Sequence, residues 1–162
     1  HATDSAQLVK CIPSPRSVIF DLGSGAGFPG LILSILTPNL VLLFESNQKK
    51  IVFLEHIIHT LGLSAKVIHG RIEDNIKKQT ESQNEDIIIT SRALGSVAYI
   101  LSLGPNVSRE TQISYLLHKN KNQLDKEIPL ALTQWDFDWE STPSITHPDS
   151  AILAMSNVKR KT

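Results

Sequence analysis

Short apolar runs recur along the chain, separated by stretches whose apolar positions fall three and four apart. Ser17-Val18-Ile19-Phe20, Asn39 to Phe44, Ala65 to His69, Asp86 to Thr90 and Gln112 to Leu117 read as buried strands. Between the first two, Leu31-Ile32-Leu33-Ser34-Ile35-Leu36 reads as the buried side of a helix stopped by Pro38. Near Asn47 a second helix begins; Ile51 to Leu54, Ile57, Ile58 and Leu61 give it an apolar side, and Gly62 stops it. Lys77 to Glu85 is wholly polar and predicts a loop or an exposed helix end. Farther on, the pattern predicts a polar helix from Asn122 to Ile128 and a closing antiparallel pair, Thr133 to Trp139 with Ala151 to Ser156. Trp135 to Trp139 alternates strictly, so one aromatic face is expected in the core while Asp136 and Asp138 face water. Strands alternating with helices predict an α/β fold, a doubly wound and mostly parallel sheet with an antiparallel C-terminal strand.

The first strand runs into Asp21-Leu22-Gly23-Ser24-Gly25-Ala26-Gly27-Phe28-Pro29-Gly30. A strand that feeds a helix through several glycines lets a ligand approach the backbone, where a side chain would clash. The helix start then offers N–H groups to a polar or anionic ligand. Gly25-x-Gly27-x-x-Gly30 satisfies the dinucleotide fingerprint, a weak match when it stands alone. The acid that opens the turn discriminates better, because Asp21-x-Gly23-x-Gly25-x-Gly27 resembles the first motif of S-adenosylmethionine-dependent methyltransferases. A carboxylate there can take up the cofactor's ammonium, directly or through water; the alternative is that Asp21 only caps the turn. Glu45, at the carboxyl end of the second strand and roughly 20 residues past the turn, suits a ribose diol. Both adenosylmethionine and NAD carry one, and a helix-capping role for Glu45 is the alternative.

Further residues narrow the resemblance. His1-x-x-Asp4-Ser5, the glycine turn ending in Phe28-Pro29-Gly30, Glu45-Ser46-Asn47-x-Lys49-Lys50-x-x-Phe53-Leu54, Arg71-x-Glu73 and Ser91-Arg92-Ala93 are together similar to the small-subunit ribosomal RNA guanine-N7 methyltransferases, also called glucose-inhibited division protein B. The resemblance runs from His1 to about Leu103 and thins afterwards. It implies a Rossmann-like class I methyltransferase fold, S-adenosylmethionine as cofactor, and small-subunit ribosomal RNA or the small ribosomal subunit as partner. Cofactor contacts are expected from Asp21, Gly23, Gly25, Gly27, Phe28, Glu45, Ser46, Ile72, Glu73 and Arg92. Arg92, Arg71 and Lys119 are expected to serve the target. An ion pair with Glu73 or Asp74 is the alternative for Arg71, and a bond to its own loop for Arg92. His56 and His59, three apart on one helix without a third ligand, are read as surface residues, so no metal is expected.

The chemistry agrees with what the fourth strand carries. Exocyclic amine methylation usually goes with an Asn- or Asp-Pro-Pro-aromatic motif there, and pyrimidine C5 methylation needs a nucleophilic cysteine. Thr90-Ser91-Arg92-Ala93 stands in that place, and the single cysteine, Cys11, precedes the first strand. Guanine N7 has an exposed lone pair and needs no base to create a nucleophile. Three departures from the family pattern weigh the other way. His118-Lys119-Asn120 stands for Leu-Lys-Gly, and Asp149 to Ala154 stands where an arginine-histidine pair is usual. Family members also carry a helical region ahead of the His1 segment, so the chain is expected to be a fragment, a shortened protein or a chain given without its first residues.

Composition changes the picture little. At 162 residues the chain is expected to be one domain, 1–162, able to bury a full core. One cysteine excludes a disulfide scaffold and suits a reducing cytoplasm, and no apolar run is long enough to span a membrane. A cytoplasmic monomer is the expectation. Sixteen basic residues balance sixteen acidic ones, an unusual neutrality for an RNA partner, with basic residues bunched at Lys49-Lys50, Lys77-Lys78, Lys119 to Lys126 and Lys159 to Lys161. Two rivals stay open: a nicotinamide-dependent oxidoreductase using the same glycines and Glu45, and a ribosome-associated module that binds the cofactor without catalysis.

Overall fold

A computed structural model describes residues 1–104 and 111–162. Its strands are β1 (Val18–Leu22), β2 (Val41–Glu45), β3 (Ala65–His69), β4 (Ile87–Arg92), β5 (Ile113–Asn120), β6 (Trp135–Pro143) and β7 (Ser150–Arg160). Its helices are α1 (Ala2–Gln7), α2 (Gly30–Leu36), α3 (Gln48–Leu61), α4 (Ile72–Glu81), α5 (Val97–Leu103) and α6 (Lys121–Ala131), with a 3-10 turn at Leu8–Cys11. The strands form one sheet in the order β3-β2-β1-β4-β5-β7-β6. The first five run parallel, and β7 joins β5 and β6 antiparallel. The chain winds outward from β1 in both directions, so the β1/β4 boundary is the switch point. At such a boundary the connections diverge and leave a crevice outside the carboxyl ends of the strands.

Alternate side chains of each strand enter different cores. Phe20, Leu22, Phe44 and Ile89 pack with Ile76 of α4, Val97, Ile100 and Leu101 of α5, and Leu124 and Ile128 of α6. On the opposite face Ile19, Val41, Leu43 and Ile88 meet Leu31 and Leu33 of α2, Ile51 and Leu54 of α3, and Leu8. Phe20 and Phe44 are fully buried with ring centroids 5.3 Å apart, each contributing about 1.5–3 kcal/mol by burial. The Asn47 side chain caps α3 by accepting from Lys50 N, and Gly62, at φ 61, closes the other end.

The polar stretch from Lys77 is an exposed helix end followed by a loop: α4 runs through Lys77 to Glu81, given a buried side by Ile76 and Thr80, one turn apart, and Ser82 to Glu85 lie beyond it. Three strands depart from the sequence pattern. β4 and β5 continue past their apolar runs because backbone pairing carries on through Arg92 opposite His118. In β6 the expected aromatic face is incomplete: Trp135 and Phe137 are partly buried, but Trp139 is 48% exposed. The pairing of β6 with β7 shifts register between Asp136 and Asp138, and such an irregularity breaks the strict two-residue alternation.

Candidate functional site

The turn after β1 is held from behind. Gly23, Gly25 and Gly27 take φ values of 69, 56 and 93, a left-handed backbone that favours glycine. Asp21 is fully buried; its Oδ2 accepts from Gly30 N at 3.1 Å, while Oδ1 has no partner among the described residues. Burial pushes the Asp21 carboxyl up to about 7, with Glu45 adding to the rise and the Gly30 hydrogen bond opposing it. No part of this carboxylate reaches the surface of the turn, so in the fold it caps α2. The first amides of α2, expected to be open to a ligand, are used inside the protein: Gly30 N by Asp21 and Leu31 N by the Gly27 carbonyl. Gly27 is buried, and a Cβ there would overlap Leu31. Phe28 precedes a cis Pro29 and lies beside the His1 ring, with centroids 6.1 Å apart.

Glu45 ties two turns together. One oxygen accepts from Gly25 N at 2.8 Å, and the other accepts from Ser46 N and Asn47 N, both at 2.9 Å. Its carboxylate borders a cavity of about 240 Å³ that also brings together Gly23, Phe44, Ser46, Arg71, Ile72 and Glu73, and adds Gly70, Leu94 and Tyr99. Six of the expected site residues, Gly23, Glu45, Ser46, Arg71, Ile72 and Glu73, thus converge on the carboxyl edge of β1, β2 and β3. Leu94 and Tyr99 were missed; the first comes from the β4–α5 connection and the second from α5. The Tyr99 hydroxyl donates to Glu73 Oε1 at 2.9 Å, bridging the cavity's two sides and holding Glu73 below the usual carboxylate range together with a stronger backbone hydrogen bond. Arg71 is exposed at the rim.

A second cavity, about 520 Å³, opens beyond β4 and β5. Arg92, Ala93, Gly95 and Ser96 form one wall; His118, Lys119 and Asn120 another; Asp4, Gln123, Glu127 and Ser150 complete it. Arg92 lies here and not on the smaller cavity, and its Nη1 is buried without a partner among the described residues. Lys119 does not present its ammonium to solvent. Its Nζ, 7% exposed with the rest of the side chain, donates to the Gly95 carbonyl and sits 2.9 Å from Glu127 Oε2. His118 is buried beside Arg92; Nε2 lies 3.1 Å from the Asp4 carbonyl and Nδ1 has no partner among the described residues. Burial lowers the His118 pKa and Arg92 adds to the fall, so the ring is neutral near pH 7. Asp4 anchors the tip of the β6–β7 hairpin by accepting from the hydroxyls of Ser144 and Thr146, which outweigh burial and hold its carboxyl below the usual range. Among the described residues no group of three His, Cys, Asp or Glu could hold a metal, and no helix is long and apolar enough to cross a membrane.

Comparison with known proteins decides the family. The family model described as rRNA small subunit methyltransferase G, GidB, matches residues 1–147. The chain belongs to this family. A curated member from Allorhizobium ampelinum is 36% identical over 99% of this chain and 75% of its own length. One from Rhodospirillum centenum is 37% identical over 98% of this chain and 69% of its own. Among solved structures, a Pyrococcus horikoshii protein matches with a TM-score of 0.66 at 14% identity, covering 99% of this chain and 64% of that one. TYW2 from M. jannaschii, solved with AdoMet, gives a TM-score of 0.61 at 13% identity over 98% of this chain and 77% of its own. These structures share the Rossmann-like fold, and the carboxyl edge bearing both cavities is the edge where such a sheet generally binds ligands.

Proposed function

We propose that this chain, acting as one domain over residues 1–162 and as a cytoplasmic monomer, transfers a methyl group from S-adenosylmethionine to N7 of a guanine in small-subunit ribosomal RNA, free or within the small subunit. Family membership supports the cofactor and the RNA. The observation that carries the target side is Arg92 Nη1, a donor on an always-charged guanidinium, buried beside the larger cavity without a partner among the described residues. Such a group calls for an acceptor, and guanine O6 or a phosphate oxygen is of the right kind.

The smaller cavity fits the cofactor. Glu45 offers acceptors for ribose hydroxyls, Phe44, Ile72, Leu94 and Tyr99 offer apolar walls to an adenine, and the missing side chain of Gly23 leaves room beside Leu94 Cδ1, only 3.0 Å from where a Cβ would stand. When bound, the cofactor supplies an electrophilic sulfonium methyl. Ser46 and Glu73 border the same space; Asp21, Gly25, Gly27 and Phe28 support it by shaping the turn. Guanine N7 is already nucleophilic, so the protein's task is alignment and electrostatic support, not proton removal. Arg92 orients the base or its phosphate from the cavity wall, and exposed Arg71 offers a second guanidinium at the rim.

The test is transfer of a labelled methyl from adenosylmethionine to intact small subunits and to naked RNA, with the modified nucleotide mapped. Label at a guanine N7 is the expected result. Adenosylhomocysteine binding without transfer to either RNA would favour the module without catalysis, and NAD binding in place of adenosylhomocysteine would favour the oxidoreductase.

A further inference from the structure

The β4–α5 connection is a wall common to the two cavities. Its Leu94, with Tyr99 of the adjoining α5, lines the smaller one, while Ala93, Gly95 and Ser96 line the larger. Two of these residues sit in demanding conformations, Ala93 at φ 56 and Gly95 at φ 147, and a connection of this kind keeps its shape only when its surroundings fix it. The fixing contacts come from two other elements. Lys119, at the end of β5, donates through Nζ to the Gly95 carbonyl. Glu127, from α6, accepts Val97 N on Oε2 at 2.8 Å, and the same oxygen takes Lys119 Nζ at 2.9 Å. A single carboxylate oxygen and a single ammonium therefore grip the connection at two points, two residues apart. The side chains are 7% and 17% exposed, so the pair is shielded from the solvent that makes surface ion pairs weak.

We infer that Lys119 and Glu127 form a positioning pair that sets the Gly95–Val97 segment, and through it the wall between the cofactor cavity and the target cavity. The inference rests on the methyl-transfer reading above for its consequence in catalysis, but not for the contacts themselves. Lys119 acts through the segment it holds, not by touching RNA. Leu94 is one residue from Gly95, and a Cβ at Gly23 would stand 3.0 Å from Leu94 Cδ1, so a shift of this segment reaches the cofactor side as well.

The experiment compares Lys119→Met, Glu127→Gln and the double variant. Removing one member leaves a buried charge unpaired and can unfold the protein, whereas the double variant removes the charges together and keeps an acceptor for Val97 N. Amide exchange at Gly95 to Val97 is measured in each folded variant. Faster exchange in the double variant than in the parent is expected, and unchanged exchange overturns the inference whether or not the protein methylates RNA. Where the parent transfers methyl, each variant should lose about a hundredfold in turnover, the scale of a 1 Å misalignment, with KM for RNA nearly unchanged. The double variant should be no worse than the poorer single one, because the two residues act as one unit. The salt dependence of RNA binding should keep its slope. A slope lowered by about one unit in Lys119→Met, with Glu127→Gln fully active, would instead make Lys119 a phosphate contact and defeat the pairing. A parent inactive on small subunits and naked RNA sinks the functional reading alone, since the exchange measurement still judges the pair.

Discussion

The smaller cavity takes most of its lining from the turns that follow β1, β2 and β3, each a contiguous stretch of sequence, and adds only Leu94 and Tyr99 from farther on. The larger cavity gathers Asp4 from α1, Arg92 from β4, His118 and Lys119 from β5, Glu127 from α6 and Ser150 from β7. One is a local device repeated along a parallel sheet, and the other is an assembly of chain segments up to about the full length apart. The local one is also the more tightly bound to itself: Glu45 accepts three backbone N–H groups, and Asp21 braces α2. The assembled one keeps polar atoms unpaired among the described residues at its wall, Arg92 Nη1 and, beside it, His118 Nδ1, whereas the local one leaves only Asp21 Oδ1 unpaired, behind its turn. A site that must receive a large polar substrate can hold donors and acceptors in reserve, at a cost in stability that the rest of the fold offsets.

That contrast breaks most readily at the back of the glycine turn. In Gly30→Val the new side chain would run into Leu43 Cδ2 and stand 2.5 Å from Asp21 Oδ2, so the expected loss is about 3 kcal/mol or more of folding stability, together with cofactor binding. Urea denaturation at the parent's midpoint would show that the turn is not packed from behind.

Asp21 gives the next largest effect, and its sign is specific. Its folded pKa of about 7 lies above the ordinary carboxyl value of 3.8, so the folded state holds the proton more tightly. The resulting stabilisation is full below pH 3.8 and is lost as pH rises through about 7. Relative to Asp21→Asn, which cannot titrate, the parent should lose about 3 kcal/mol between pH 5 and pH 8, read from denaturation midpoints at both values. Parallel pH profiles for the two proteins would mean that Asp21 is ionised in the fold.

The separation of the cavities is sharpened by a pair of substitutions. Glu45→Gln should weaken adenosylhomocysteine binding by roughly 1–3 kcal/mol, the worth of hydrogen bonds to a charged acceptor. Arg92→Ala should leave that affinity intact while methyl transfer falls about a hundredfold through lost alignment. Calorimetry in which both variants lose cofactor affinity equally would merge the two cavities into one site. The smallest effect belongs to Tyr99→Phe, which removes one exposed hydrogen bond to Glu73 and should cost about 1 kcal/mol or less in adenosylhomocysteine affinity. An unaltered affinity would leave the Tyr99 hydroxyl outside the cofactor's surroundings.

Legibility followed the same division. The glycine turn, Glu45 and the Arg71-Ile72-Glu73 segment were readable because their residue types and spacing are set by a strand-turn-helix unit that recurs within short stretches of chain. Leu94 and Tyr99 carry no such signal, being ordinary apolar positions of a connection and a helix. Asp4 and His118 were visible as residues but not as neighbours, since their contact spans the sheet from α1 to β5. Lys119 shows the limit most clearly. The resemblance implied that it serves the target, but nothing in the sequence near it announces Glu127 as a partner eight residues on, across a strand-to-helix turn. Trp139 was expected in the core, and it is exposed on the edge strand β6, whose pairing with β7 shifts register.

Residue order by itself determined the alternation of strands and helices, the left-handed glycine turn, the acid at the end of the second strand and the family to which the chain belongs. Each of these is fixed by interactions within about thirty residues, where backbone geometry and side-chain period leave few options. Tertiary structure decided which charges meet. It turned Asp21 inward to carry a raised pKa, tied Glu45 to the glycine turn, buried Lys119 on Glu127 and brought α1 against β5 to close the larger cavity. Polar contacts of that kind depend on distances between elements far apart in sequence and on exclusion of water, neither of which is written in local spacing.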